Sequence, residues 1–154
     1  MKRISFKAAL TFFIVYPSLL LMVMTFVTPS PSQAEVLIIV NSKMQVKQLD
    51  KSEVQDIFLG KKITWPDGKD TEIKFVLISG ADFHSEFVKD YTRKSAAQFK
   101  RYWNNMVFTG KGMMPKNIDS VDALIEYVSH TDGAIGYISP GGPLDGVDVI
   151  DVKE

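Results

Sequence analysis

Four adjacent residues, Ser79-Gly80-Ala81-Asp82, stand between an apolar run and a helix-patterned stretch, and their types suit the capture of a small anion. The glycine lets a ligand approach the backbone closely. Free N–H groups at the start of the following helix attract negative charge. These four are the candidate ligand-binding residues. The plain alternative is a capped helix start with nothing bound, in which Asp82 is the cap and its charge opposes an anion.

Little else in the chain suits catalysis. His84 and His130 are far apart and fall in no metal-ligand spacing, so they read as surface or helix-end residues. Ser85-Glu86 lacks the glycines that flank a nucleophile elbow. Thr109-Gly110-Lys111-Gly112 lacks the G-x-x-x-x-G-K-S/T spacing of a phosphate loop. Phe99, Tyr102 and Trp103 offer stacking surfaces, but their helical spacing predicts core. The reading is a binding protein, not an enzyme, with no metal and no cofactor.

Residues 1–34 read as a cleavable signal peptide. Lys2, Arg3 and Lys7 form a basic start, an apolar run covers residues 8–27, and Ser32-Gln33-Ala34 supplies small residues for a signal peptidase. The alternative is a retained membrane anchor, since about 20 apolar residues can span a bilayer. Pro17 and Ser18 interrupt that run and favour cleavage. The expected address is the periplasm.

Residues 35–154 then form one domain's worth of chain. They carry 15 Lys and Arg against 18 Asp and Glu, so a nucleic-acid partner is not expected. There is no cysteine, hence no disulfide framework and no thiolate metal site.

The elements that must position the candidate loop follow from apolar patterning. Val36-Leu37-Ile38-Ile39-Val40 is apolar throughout, which predicts a strand covered on both faces, as in a parallel sheet. Asp50 with Glu53 forms a capping box, Leu49 and Val54 a hydrophobic staple, and Gly60 a left-handed helix end. Val54, Ile57 and Phe58 share the inner face of that helix.

Trp65-Pro66-Asp67-Gly68 reads as a tight turn, with Pro presetting φ and Gly accepting a positive φ. Residues 73–78 read as a strand, followed by a helix through Phe83, Phe87, Val88 and Tyr91. Ser95 and Gln98 open a second capped helix, and residues 108–115 form a glycine-rich loop. Asp119 or Ser120 starts a helix with Val121, Leu124, Ile125 and Val128 inward. Residues 134–138 and a stretch from Val147 to Val152 read as the last strands. Strands alternating with helices predict an α/β domain with a mainly parallel sheet flanked by helices.

The order of these pieces resembles a known family. "VNSKMQVKQLDKSEVQDIFLGKKITWPDG", an apolar strand, "SEFVKDYT", "YWNNMVFTGKG" and "DGAIGYIS" are similar to the periplasmic phosphate-binding protein of ABC phosphate importers. The most specific pieces are Ile57-Phe58-Leu59-Gly60 with Trp65 behind it, and Gly133-Ala134-Ile135-Gly136-Tyr137. The resemblance implies a single lobe of a type II periplasmic-binding-protein fold over residues 35–154, with Trp65 packing the connection between helix and strand.

It also implies a solute-binding module for a small oxyanion such as phosphate, serving an importer or sensor. Since one lobe makes one wall of a cleft, a homodimer is the expected source of the second. The alternative is a single-lobe interaction module that docks on a membrane transporter or sensor without ligand. The family's ligand loop runs arginine, spacer, aspartate, then Ser-Gly-Thr. Aligned on Phe87, Val76 or Leu77 falls at the arginine, Ser79 at the aspartate, and Ala81-Asp82-Phe83 at Ser-Gly-Thr, so the ionic ligands differ.

Overall fold

The computed structural model describes residues 36–67 and 69–154. The expected signal peptide and Gly68 lie outside the described residues. The described residues belong to one compact unit. Among the described residues, no helix is long and apolar enough to cross a membrane.

The chain runs β1 (Leu37–Asn41), a 3-10 turn (Ser42–Met44), β2 (Gln48–Asp50), α1 (Lys51–Phe58) and β3 (Lys74–Ile78). Then follow α2 (Asp82–Thr92), α3 (Ala96–Phe108), β4 (Lys116–Ile118), α4 (Val121–His130), β5 (Ala134–Ile138) and β6 (Val147–Lys153). The six strands form one sheet in the order β2-β6-β1-β5-β3-β4. Pairing is parallel between β2 and β6, β3 and β5, and β3 and β4. Only β1 opposes the others, antiparallel to both β5 and β6.

The expected mixed α/β fold with a mainly parallel sheet is therefore borne out, with one correction. The apolar run in β1 does mark a strand buried on both faces, from Ile38 to Asn41. Its neighbours are nevertheless antiparallel, because burial on two faces records the covering layers and not the strand direction. Helices do cover both faces. On β5, a Cβ at Gly136 would meet Leu124 of α4 at 2.9 Å, whereas the next residue, Tyr137, meets Phe58 of α1 and Phe87 of α2. Successive strand residues point to opposite faces, so α4 lies on one side and α1 and α2 on the other.

Capping chemistry sets the helix ends. Glu53 accepts from the Asp50 N–H at 3.0 Å at the start of α1, and Leu49 and Val54 are buried as a staple requires. At its end, Gly60 takes φ 68°, with Gly60 N–H donating to the Ile57 carbonyl and Lys61 N–H to that of Asp56. These are the two bonds of a Schellman motif. The end of α3 repeats it at Gly110, through Val107 and Met106. Ser95 and Gln98 make the expected reciprocal capping box on α3, and Ser120 caps α4.

Trp65 is core. It is 1% exposed and its indole N–H donates to the Gly133 carbonyl at 3.0 Å. This bond ties the connection after α1 to the turn before β5, so the two most specific sequence pieces meet in space. Beyond it, the Asp67 carboxylate accepts from the Lys69 N–H and the Thr71 hydroxyl, which hold it below the usual carboxylate range. The described left-handed residue of this loop is Asp70, at φ 53°. Gly133 sits at φ 77°, and a Cβ there would meet the Glu72 carbonyl oxygen at 2.1 Å. Only glycine fits.

Candidate functional site

β3 ends at Ile78, and the chain crosses Ser79 and Gly80 into α2 at the carboxyl end of the parallel strands β3, β4 and β5. Ligands of open α/β sheets gather at such strand ends. The Ser79 N–H donates to the Ile118 carbonyl at 2.8 Å, which fixes the loop to β4. Gly80 takes φ 69°, and no atom lies within 4 Å of where a Cβ would stand. The backbone here is open to a close approach.

The helix cap differs from expectation. Ala81, not Asp82, is the N-cap of α2, and no side chain accepts from the first turn. Asp82 occupies the first helical position with its side chain exposed. A carboxylate there favours the helix dipole without closing its N–H groups. The start of α2 therefore keeps the Asp82 and Phe83 N–H groups without a capping side chain beside an open glycine, while the His84 N–H donates to the Ala81 carbonyl at 3.0 Å.

A cleft of about 500 Å³ adjoins this loop, lined by Ser79, Gly80 and His84 together with Lys100, Asn104 and Asn117 from α3 and β4. Its floor includes Phe99 and Trp103, both buried, so the aromatic stripe of α3 is core as its spacing predicts. Tyr102 and Trp103 also bond back to α1, donating to the Leu59 and Phe58 carbonyls at 2.7 and 3.2 Å. A larger hollow of about 850 Å³ lies elsewhere, between β1, β6 and Tyr91.

His84 stands at a helix end, as expected, but it is half-buried rather than on the surface. Its Nδ1 lies 2.5 Å from the Tyr137 hydroxyl. The Tyr137 oxygen also accepts from the Ile78 N–H at 3.4 Å. A buried hydroxyl hydrogen needs an acceptor, and Nδ1 supplies it. The network thus assigns the neutral tautomer with its proton on Nε2. Burial pushes the imidazole below its ordinary value and the tyrosine well above the ordinary phenol value. Tyr137 is itself held by Phe87, stacked at 3.6 Å between centroids and 5° between planes. His130, by contrast, is exposed at the end of α4, as expected.

The structure brings Ser79, Gly80, Ala81 and Asp82 together as one turn and adds residues that sequence reasoning missed. His84 sits three residues past the cap, one helical turn into α2. Its partner Tyr137 is distant in sequence, so no local pattern announces the pair. Lys100, Asn104 and Asn117 come from α3 and β4, and only the packing of those elements places them at the cleft. Among the described residues, no group of acidic or histidine side chains is arranged to hold a metal ion.

No protein-family model matches the sequence, and no curated protein matches it significantly. Solved structures do. A putative phosphate ABC transporter substrate-binding protein with bound phosphate from Clostridium perfringens matches with a TM-score of 0.60 at 22% identity, over 76% of this chain and 44% of that one. An ABC-type phosphate transport receptor from Vibrio cholerae gives 0.52 and 19%, over 76% and 45%. PstS from Borrelia burgdorferi gives 0.54 and 16%, over 76% and 46%. The fold is therefore that of part of these receptors, and this chain spans less than half the length of each.

Proposed function

We propose that this protein is an exported solute-binding module that captures a small oxyanion such as phosphate at the β3–α2 loop. One observation carries the reading: α2 opens without a capping side chain onto a cleft that also holds Lys100 and His84. Backbone N–H groups and the helix dipole favour an anion there. The Ser79 hydroxyl and the His84 Nε2–H add neutral donors, and Lys100 adds charge. Its ammonium has no ion-pair partner among the described residues.

The Asp82 carboxylate lowers the affinity for any anion, so the expected binding is micromolar and sensitive to salt. The fold matches receptors whose full length supplies a second part, and one wall cannot bury a ligand. A second copy of this chain fills that role. Residues 1–34 deliver the module to the periplasm, for a transporter or sensor in the membrane.

Calorimetric titration of residues 35–154 with phosphate, at low and moderate salt and paired with light scattering, tests this. The expected result is micromolar heat with a shift toward dimer, lost in His84→Ala. Absence of heat from phosphate, sulfate and other small anions sinks the receptor reading and leaves the docking-module alternative.

A further inference from the structure

Charge is segregated along this chain. Residues 91–118 contain six basic and no acidic side chains, while the rest of residues 35–154 carries nine basic against 18 acidic. None of the six forms an ion pair among the described residues. Lys94 and Lys116 lie over the rings of Tyr102 and Tyr127, and Arg93, Lys100, Arg101 and Lys111 are exposed.

The same segment carries Val107, Phe108, Met113 and Met114, four of the seven exposed large apolar side chains among the described residues. Phe108 is 91% exposed and Met113 85%. Arg101 and Phe108, seven residues apart in α3, share a helical face. Past the helix, the Schellman bonds turn the chain at Gly110 and Gly112 packs against Trp103, so the loop that bears Lys111 and Met113 is tied down at its middle.

We propose that the outer face of α3 and the loop after it dock on an anionic lipid surface. Phe108 and Met113 enter the acyl boundary while Arg101 and Lys111 face the headgroups. Exposed apolar side chains beside unpaired cations are the composition of interfacial membrane binders. A stable protein interface needs about 800 Å² a side with a packed centre. Here a few exposed apolar side chains stand at a helix end, in a segment with six basic and no acidic side chains. This inference goes beyond the oxyanion reading and rests on different residues.

The test is co-sedimentation of residues 35–154, which carry their own core, with vesicles of phosphatidylglycerol and phosphatidylcholine or of phosphatidylcholine alone. The expected result is pelleting with the anionic vesicles only, weakened by salt. Each basic residue near the surface contributes about fivefold in affinity. Arg101→Glu with Lys111→Glu therefore weakens binding by about 25-fold or more. Phe108→Ser with Met113→Ser also weakens it, and circular dichroism and the phosphate titration are unchanged in both variants. Equal pelleting with neutral vesicles, or variants that bind as the parent does, overturns the proposal. So does a low-salt dimer that ignores vesicles, which would assign the basic face to the acidic surface of a second copy.

Discussion

Replacing Trp65 with phenylalanine tests whether the turn after α1 is held by the core or merely rests on it. The indole N–H bonds to the Gly133 carbonyl at 3.0 Å, and the same carbonyl accepts the Lys74 N–H at 2.9 Å. Losing the indole therefore removes a hydrogen bond without stranding its acceptor. The net cost of that bond is about 1 kcal/mol. The backbone N–H of Trp65 donates to the Thr71 carbonyl and survives the change. Phenylalanine leaves part of a fully enclosed ring site empty, which adds about 1–2 kcal/mol of lost burial and cavity. The expected loss is thus about 2–3 kcal/mol. Urea unfolding of residues 35–154, followed by circular dichroism, measures it as a lower midpoint at unchanged slope. A midpoint unmoved from the parent's would refute the reasoning, because a ring that is 1% exposed cannot shrink at no cost.

Asn41→Ala is expected to cost about 2–4 kcal/mol in the same assay. Its buried amide donates to the Val128 and Ser129 carbonyls at the end of α4, both at 2.9 Å, while its oxygen accepts the Lys43 N–H. The pH dependence of stability reports on His84. Unfolded histidine takes up a proton below about pH 6.5, whereas burial lowers the native affinity for it. Stability is thus complete above that value and lost as pH falls toward the folded pKa. His84→Gln should flatten the slope of the urea midpoint between about pH 7 and 5. Equal slopes in variant and parent would show the imidazole to be solvated.

Much of the architecture was legible because it rests on local chemistry. The helix through Val54, Ile57 and Phe58, the box at Ser95 and Gln98, and the glycine end at Gly60 each carry their own signal. The direction of β1 was not legible, since an apolar run records burial alone. The three-residue strands β2 and β4 escaped for another reason. Lys116-Asn117-Ile118 is mostly polar, and it becomes a strand only by pairing with β3. Asn41 ends β1, and nothing nearby in sequence shows that it serves the end of α4. The candidate loop was legible as a turn, but Ala81 displaced Asp82 as cap, and Lys100, Asn104 and Asn117, which line the cleft with it, come from other elements.

The sequence pieces that resemble the phosphate-binding family lie at both ends of β3 and β5, Trp65 and Gly133 at the amino end and Phe58, Phe87 and Tyr137 toward the candidate loop. Trp65 holds Gly133, Phe58 packs edge-on to Tyr137 at 5.7 Å, and Phe87 stacks on Tyr137. Tyr137 in turn grips His84 and accepts the Ile78 N–H at the end of β3. Phe58, Phe87 and Tyr137 therefore pack together under the point where β3 ends, and Ser79, Ala81 and Asp82 fall in the turn that follows. On the proposed receptor reading, the His84 Nε2–H of α2 and Lys100 of α3 serve where the loop itself offers no cation, and a donor set in advance by the buried tyrosine loses little entropy when the ligand arrives. The lost heat in His84→Ala, with the fold intact by circular dichroism, is the result that separates this reading from the docking-module alternative.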